Sequence, residues 1–214
     1  MARGRPLVVQ TDPDPPSIPT ELLEAGGWTL TDEFVETVYE ISALRVRGAT
    51  REYEDRRLRT TLRDASDGRL DHRLRFVAVT RLGFQPSLPF GVTPTLVLPT
   101  IRSEAEDEFK TRLRNHGLTD VEREESQRVR VAGRRRARLT KFSATDPFEG
   151  SEKTVSLECW VTAWTHAGNT TIVTGGYPAV TLSSHLELED SGECLSRSGQ
   201  EYREEFIELL QSVE

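Results

Sequence analysis

Lysine is almost missing. Lys110, Lys141 and Lys153 are the only lysines among 28 basic residues, and every other one is arginine. Cysteine is nearly as scarce, with Cys159 and Cys194 alone in 214 residues. Two thiols without a CxxC pair exclude a disulfide framework and a cysteine-rich metal site. Cys159 lies in an apolar alternating run and reads as a small buried side chain, Cys194 as a loop thiol. No stretch approaches the ~18 apolar residues that announce a membrane-spanning helix. The opening MARGRPLVVQTDPDPPSIP has two arginines but no apolar core. That pattern predicts neither signal peptide nor lipoprotein leader, and hence a cytoplasmic chain. A cell-surface location would require a leader upstream of Met1.

Catalytic signatures are absent as well. There is no G-x-S-x-G, no P-loop and no pair of histidines at helical spacing. His72, His116, His166 and His185 each fall near a predicted turn or element end and read as polar surface residues. Gly175-Gly176 is too short to cradle a phosphate and reads as a strand exit. The sequon Asn169-Thr170-Thr171 reads as turn chemistry, because Asn tolerates the left-handed backbone. No cofactor, metal or catalytic set is expected.

What is present in excess is acid. The formal net charge is -7 and hydrophobic residues make up only 36%. A uniformly acidic chain disfavours nucleic acid and anionic lipid alike. Acidity together with lysine scarcity suits a cytoplasm at molar salt, where a Debye length of roughly 3 Å screens like-charge repulsion.

Along the chain, residues 1–18 hold Pro6, Pro13, Pro15 and Pro16 and read as an extended Pro-rich arm. A single domain over 19–214 follows. A short helix is expected at Glu21 to Ala25, capped by Thr20 and stopped by Gly26-Gly27. Period-two patterning from Trp28 through Ile41 predicts a strand, Leu44 and Val46 lead to Gly48, and a second strand covers roughly Ala49 to Tyr53. Asp55 caps a helix carrying Leu58, Leu62 and Ala65. A strand runs from Arg73 to Phe84. QPSLPFGVTPTLVLP reads as a covering loop or edge segment. Ile101, Ala105, Phe109 and Leu113 step by four, the clearest helical signal, which Gly117 stops. Two hairpins follow, turning at Ala132-Gly133 and Ala167-Gly168. Ser183 to Ser198 fits either a loop or a short helix. Tyr202, Phe206, Leu209, Leu210 and Val213 form the apolar face of a closing helix. Consecutive hairpins call for an antiparallel sheet, so the expected class is α+β, a mainly antiparallel sheet with helices packed on it.

Several segments carry a resemblance: "FKTRLRNHGL", "VEREESQRVRVAGRRRARLTKF", "CWVTAWTHAGNTTIVTGGYP" and the closing "YREEFIELLQSVE". Their order resembles the photosystem extrinsic protein PsbP and its relatives, which implies a PsbP-like α/β sandwich. The opening Gly27-Trp28 and the ending Tyr202 to Glu214 resemble more closely an uncharacterised haloarchaeal family of domain-of-unknown-function proteins, many of them lipoproteins. The lipobox cysteine of those members is not found here. The resemblance implies no catalytic residue.

The most unusual stretch is GRRRAR, Gly133 to Arg138. With neighbours it collects Arg128, Arg130, Arg134, Arg135, Arg136, Arg138 and Lys141 on one hairpin. Charge runs are usually solvated faces, and Glu122, Glu124 and Glu125 are near enough in sequence to pair with them. Otherwise this patch would dock an acidic protein partner; without interleaved aromatics to stack bases, nucleic acid is disfavoured. Trp160 and Trp164 alternate on one strand face and read as core. The function that follows is a non-enzymatic accessory or interaction domain. A small-ligand pocket between the sheet and the 86–99 loop is the alternative, ahead of an unrecognised hydrolase. The acidic, lysine-poor composition generates one testable expectation: the melting temperature rises between dilute and molar KCl, as a thermal scan at both salts will read.

Overall fold

Strand-like alternation begins at Trp28, and it marks the first strand of the computed structural model, which describes residues 12–41, 44–148, 153–188 and 192–214. A helix α1 (Thr20–Gly26) precedes it. Then come β1 (Trp28–Ile41), β2 (Leu44–Asp55), α2 (Arg56–Ala65), β3 (Phe76–Gln85) and α3 (Pro94–Asn115). The second half runs β4 (Thr119–Val131), β5 (Arg135–Pro147), β6 (Thr154–His166), β7 (Asn169–Pro178), α4 (Leu182–Leu186) and α5 (Gly199–Ser212). The seven strands form one sheet in the order β1-β2-β3-β7-β6-β5-β4, and every neighbouring pair is antiparallel. The protein is therefore α+β: two meanders, β1 to β3 and β4 to β7, joined through β3 and β7.

Residues paired across a ladder share a face of the sheet, and successive residues alternate between faces. One face takes α3, where Phe109 meets Phe142 of β5 edge-on, centroids 6.0 Å apart. The other takes α5, where Tyr202 lies 6.2 Å from Tyr177 of β7. Apolar side chains from both faces, Trp160 and Trp164 among them, are buried in the hydrophobic core. Capping explains where the helices start. The Asp55 carboxylate accepts the Leu58 amide at 2.9 Å, and Ser198 and Glu201 close a reciprocal capping box on α5.

Three sequence expectations are corrected here. The second strand does not start after Gly48; Gly48 lies inside β2, where an added Cβ would stand 3.0 Å from Val38 and 3.1 Å from Thr80. Gly175 and Gly176 do not end a strand. They sit inside β7, and a Cβ on them would meet the rings of Phe206 and Phe76 at 2.6 and 2.7 Å, so glycine is what lets α5 and β3 approach. Third, the Pro-rich stretch over 94–99 is helical. Pro94 starts α3 where a missing N–H costs nothing, and Pro99 is accommodated within it. Leu98 and Ile101 are buried in the core beneath it.

Residues 12–18 carry no helix or strand, yet they lie against the α5 face. Asp12 pairs with Arg47, Ile18 is in the core, and Ser17 exchanges two backbone hydrogen bonds with Glu214. Pro6 and the residues around it lie outside the described residues, as does 189–191 within the stretch that fitted either loop or helix. The remainder of that stretch forms α4 and a 3-10 turn, Glu193–Ser196.

One buried charge ties the elements together. Arg75, just before β3, is 2% exposed. Its guanidinium donates to Asp55 at 2.6 Å, to the Gly26 carbonyl at 3.2 Å and to Glu205 of α5. It stacks between the rings of Trp28, at 4.3 Å, and Tyr202, at 4.9 Å. Removing one partner of a buried pair strands the other charge. Arg75→Met is therefore expected to cost about 3–5 kcal/mol in urea unfolding. Arg75→Lys recovers little, because a point charge cannot reproduce the planar fork.

Candidate functional site

The basic hairpin is β4 and β5, joined by a 3-10 turn, Ala132–Arg134, in which Gly133 and Arg134 take left-handed backbone. Its register sets like charges directly opposite one another: Arg128 faces Arg138, and Arg130 faces Arg136. Ser126 and Thr140, in register two residues further along, lie on the same face, where Thr140 donates to Glu106 of α3 at 2.8 Å. The two arginine pairs therefore stand on the α3 side of the sheet. Arg102 of α3 joins them, held by a 3.0 Å hydrogen bond from Nε to the Ala163 carbonyl. Burial and then the charge of Arg138 hold its pKa below the usual guanidinium value, against the pull of Glu106. An open cleft of about 610 Å³ is lined by Arg102, Arg128, Arg136 and Arg138.

The expectation that these arginines pair with Glu122, Glu124 and Glu125 is corrected. Among the described residues Arg128, Arg130, Arg134, Arg135, Arg136 and Arg138 make no ion pair, and all six are exposed. The register explains why. Glu122 is separated from these arginines by the bulge between Arg123 and Ser126, and Glu124 lies within that bulge and is taken by Lys141 at 3.1 Å. Elsewhere pairing is the habit: Arg45, Arg47, Arg51, Arg59, Arg112 and Arg123 each contact a carboxylate.

The seven basic residues named from the sequence do not form one surface. Arg128, Arg130, Arg136 and Arg138 share the α3 face. Arg134 is at the turn. Arg135 falls opposite Val131, and Lys141 opposite Trp160, both on the α5 face. Burial lowers the Lys141 pKa most, but hydrogen bonds to Glu158 and Glu124 outweigh it and hold the ammonium above its ordinary value. Lys141 belongs to a closed polar network. It bridges to Glu158 at 2.8 Å, Tyr177 donates to the same carboxylate at 3.1 Å, and Trp160 donates to Tyr177 at 2.8 Å. Arg102 was missed by the sequence reading, since nothing in the helical spacing says that it faces the hairpin.

One histidine stands beside a carboxylate. His72 Nδ1 lies 3.1 Å from Asp146 of β5, with the Phe148 ring edge-on to it at 4.7 Å. Burial raises the Asp146 pKa and the His72 charge opposes that rise. Among the described residues no serine, threonine or cysteine hydrogen-bonds to His72, so the pair fastens the α2–β3 linker to the sheet. Cys159 is fully buried, which pushes its thiol well above the usual range and suppresses the thiolate. Among the described residues no group of three His, Cys, Asp or Glu side chains could hold a metal ion.

In class, then, this is an α+β protein with one antiparallel sheet between helices and an unpaired arginine face on its edge hairpin. Residues 15–214 match the model of a domain of unknown function, DUF6517, and the chain belongs to that family. No curated protein matches the sequence.

Like charges placed directly opposite on a ladder destabilise it by roughly 0.2–1 kcal/mol per pair. Arg128→Thr together with Arg136→Thr is therefore expected to raise the melting temperature in dilute buffer. The gain is expected to vanish at molar KCl, where the repulsion is screened.

Proposed function

We propose that this chain is a non-enzymatic interaction domain that docks an acidic protein partner on the α3-side face of the β4–β5 hairpin. The observation that carries the reading is the contrast between arginines. Many of those elsewhere on this acidic protein contact a carboxylate, Arg45, Arg51, Arg112 and Arg123 among them, whereas among the described residues the facing pairs Arg128/Arg138 and Arg130/Arg136 make no ion pair. A planar guanidinium fork matches a carboxylate in bidentate geometry, and four forks around one cleft suit a run of acidic side chains. Nucleic acid is the poorer fit, as no aromatic ring lines the cleft to stack a base.

We further infer a salt-adapted, haloarchaeal and cytoplasmic setting from the acidity and the scarcity of lysine. The order of hairpins and closing helix supports a PsbP-like arrangement. In molar salt only contact pairs, formed with loss of intervening water, would retain value, which is what a cleft offers over a flat face.

The test is affinity purification of the tagged chain in molar KCl beside the Arg128→Ser, Arg136→Ser, Arg138→Ser variant. One stoichiometric acidic protein is expected with the parent chain and absent from the variant. Recovery of both chains alone would overturn the reading.

A further inference from the structure

Residues 82–101 contain no charged side chain, twenty consecutive positions in a chain in which 29% of residues are charged. They finish β3, cross the end of the sheet and form the first two turns of α3. Their apolar side chains are not all inside. Phe90 is 108% exposed and Leu96 67%, and Val92 is exposed beside them. The backbone here is largely self-sufficient. Val92 donates to the Pro89 carbonyl at 2.9 Å and Leu96 to that of Thr93 at 3.0 Å, while Pro86, Pro89 and Pro94 have no N–H to satisfy.

The antiparallel order brings cations to the same end. Leu82 of β3 pairs with Thr170, beside the β6–β7 turn. The hairpin turn is there too, since a Cβ on Gly133 would meet the His166 ring at 3.0 Å. Leu96 precedes Arg102 by six residues, which carries it about 9 Å further out along the helix axis than the guanidinium beside the hairpin. Arg134 and Arg135, exposed and among the described residues without ion pairs, therefore lie at the same end of the sheet as the uncharged loop. Of the acids near this end, Asp12 is paired with Arg47 and Glu40 with Arg45, and Arg81 donates to the Glu214 carbonyl at 2.7 Å.

We propose that this end of the sheet docks on an anionic lipid surface. Phe90, Val92 and Leu96 enter the boundary between headgroups and acyl chains, and Arg134 and Arg135 meet the lipid phosphates. A protruding apolar tip with no acidic side chain, with exposed arginines at the same end of the sheet, has the chemistry of an interfacial anchor. A protein partner would need a matching cavity for the wholly exposed Phe90, whereas a fluid surface forms one. The net charge of -7 does not oppose this, because charges more than a Debye length from the surface are largely screened. The lateral arginine face stays open to an acidic partner, so this inference and the proposed function rest on different residues.

The test uses the whole chain and vesicles of phosphatidylcholine, with and without phosphatidylglycerol. Phe90→Trp places a reporter where the native side chain packs on nothing. Its emission is expected to shift to the blue, and the chain to co-sediment, with the phosphatidylglycerol vesicles. Phe90→Asp with Leu96→Asp is expected to weaken co-sedimentation by at least about tenfold. Arg134→Ser with Arg135→Ser weakens it at low salt, and Arg128→Ser with Arg138→Ser leaves it as in the parent chain. No binding by the parent chain, equal binding to both vesicle types, or undiminished binding by the double aspartate variant overturns the proposal. So does loss of binding in the Arg128→Ser, Arg138→Ser chain, which would move the lipid contact to the lateral face. Circular dichroism on each variant separates lost binding from lost fold.

Discussion

A guanidinium taken out of water must have its donors met, and the residues that meet those of Arg75 come from distant parts of the chain. Asp55 ends β2 and caps α2, the Gly26 carbonyl ends α1, and Glu205 lies on α5. Trp28 and Tyr202 close above and below. The first meander, the second helix and the C-terminal helix thus share one charged centre, and α5 cannot shift on the sheet without exposing it. Gly175 complements that constraint, since Phe206, one turn on from Tyr202, packs where a side chain on β7 would stand. Desolvating a charge makes such a knot a weak source of net stability but a strict selector of arrangement, because a packing that leaves Asp55 unpaired is heavily penalised.

The rest of the surface follows the opposite logic. A chain with this many acids sets many of its arginines against carboxylates at the surface, in pairs each worth little alone and further weakened by salt. Against that background the hairpin is distinct less for its count of arginines than for their register. The β4–β5 ladder sets Arg128 on Arg138 and Arg130 on Arg136, and α3 adds Arg102 beside them. The bulges in β4 leave the neighbouring glutamates out of step with this face. The cation-rich hairpin turn and the uncharged loop lie at one end of the sheet because the strands that feed them all terminate there.

Elements with strong local signals were legible in the primary structure. The turns at Ala132-Gly133 and Ala167-Gly168, the Asp55 cap, the stripe from Ile101 to Leu113 and the closing helix depend on spacing and turn chemistry alone. From these an antiparallel α+β domain follows, as does the presence of a basic hairpin. Glycine misled in three places. Gly48, Gly175 and Gly176 look like punctuation, but they serve close approach by Val38, Phe206 and Phe76, partners 10 to 100 residues distant in order of magnitude. The stretch over 94–99 misled because its prolines suggest a loop, whereas packing of Leu98 and Ile101 on the core holds it in a helix.

By itself, then, the sequence determined most of the strands and helices, the acidity of the whole and the placement of seven cations on one hairpin, since each is a matter of local spacing or composition. Only the tertiary structure decided which of those cations act together. The pleat sends alternate residues to opposite faces, so Lys141 and Arg135 turn away from Arg128, Arg130, Arg136 and Arg138, and Arg134 sits at the turn. The packing of α3 supplies a fifth, Arg102. The strand order decided that an exposed Phe90 and two free arginines share one end of the sheet, because that depends on β3 pairing with β7, a contact between residues far apart in the chain.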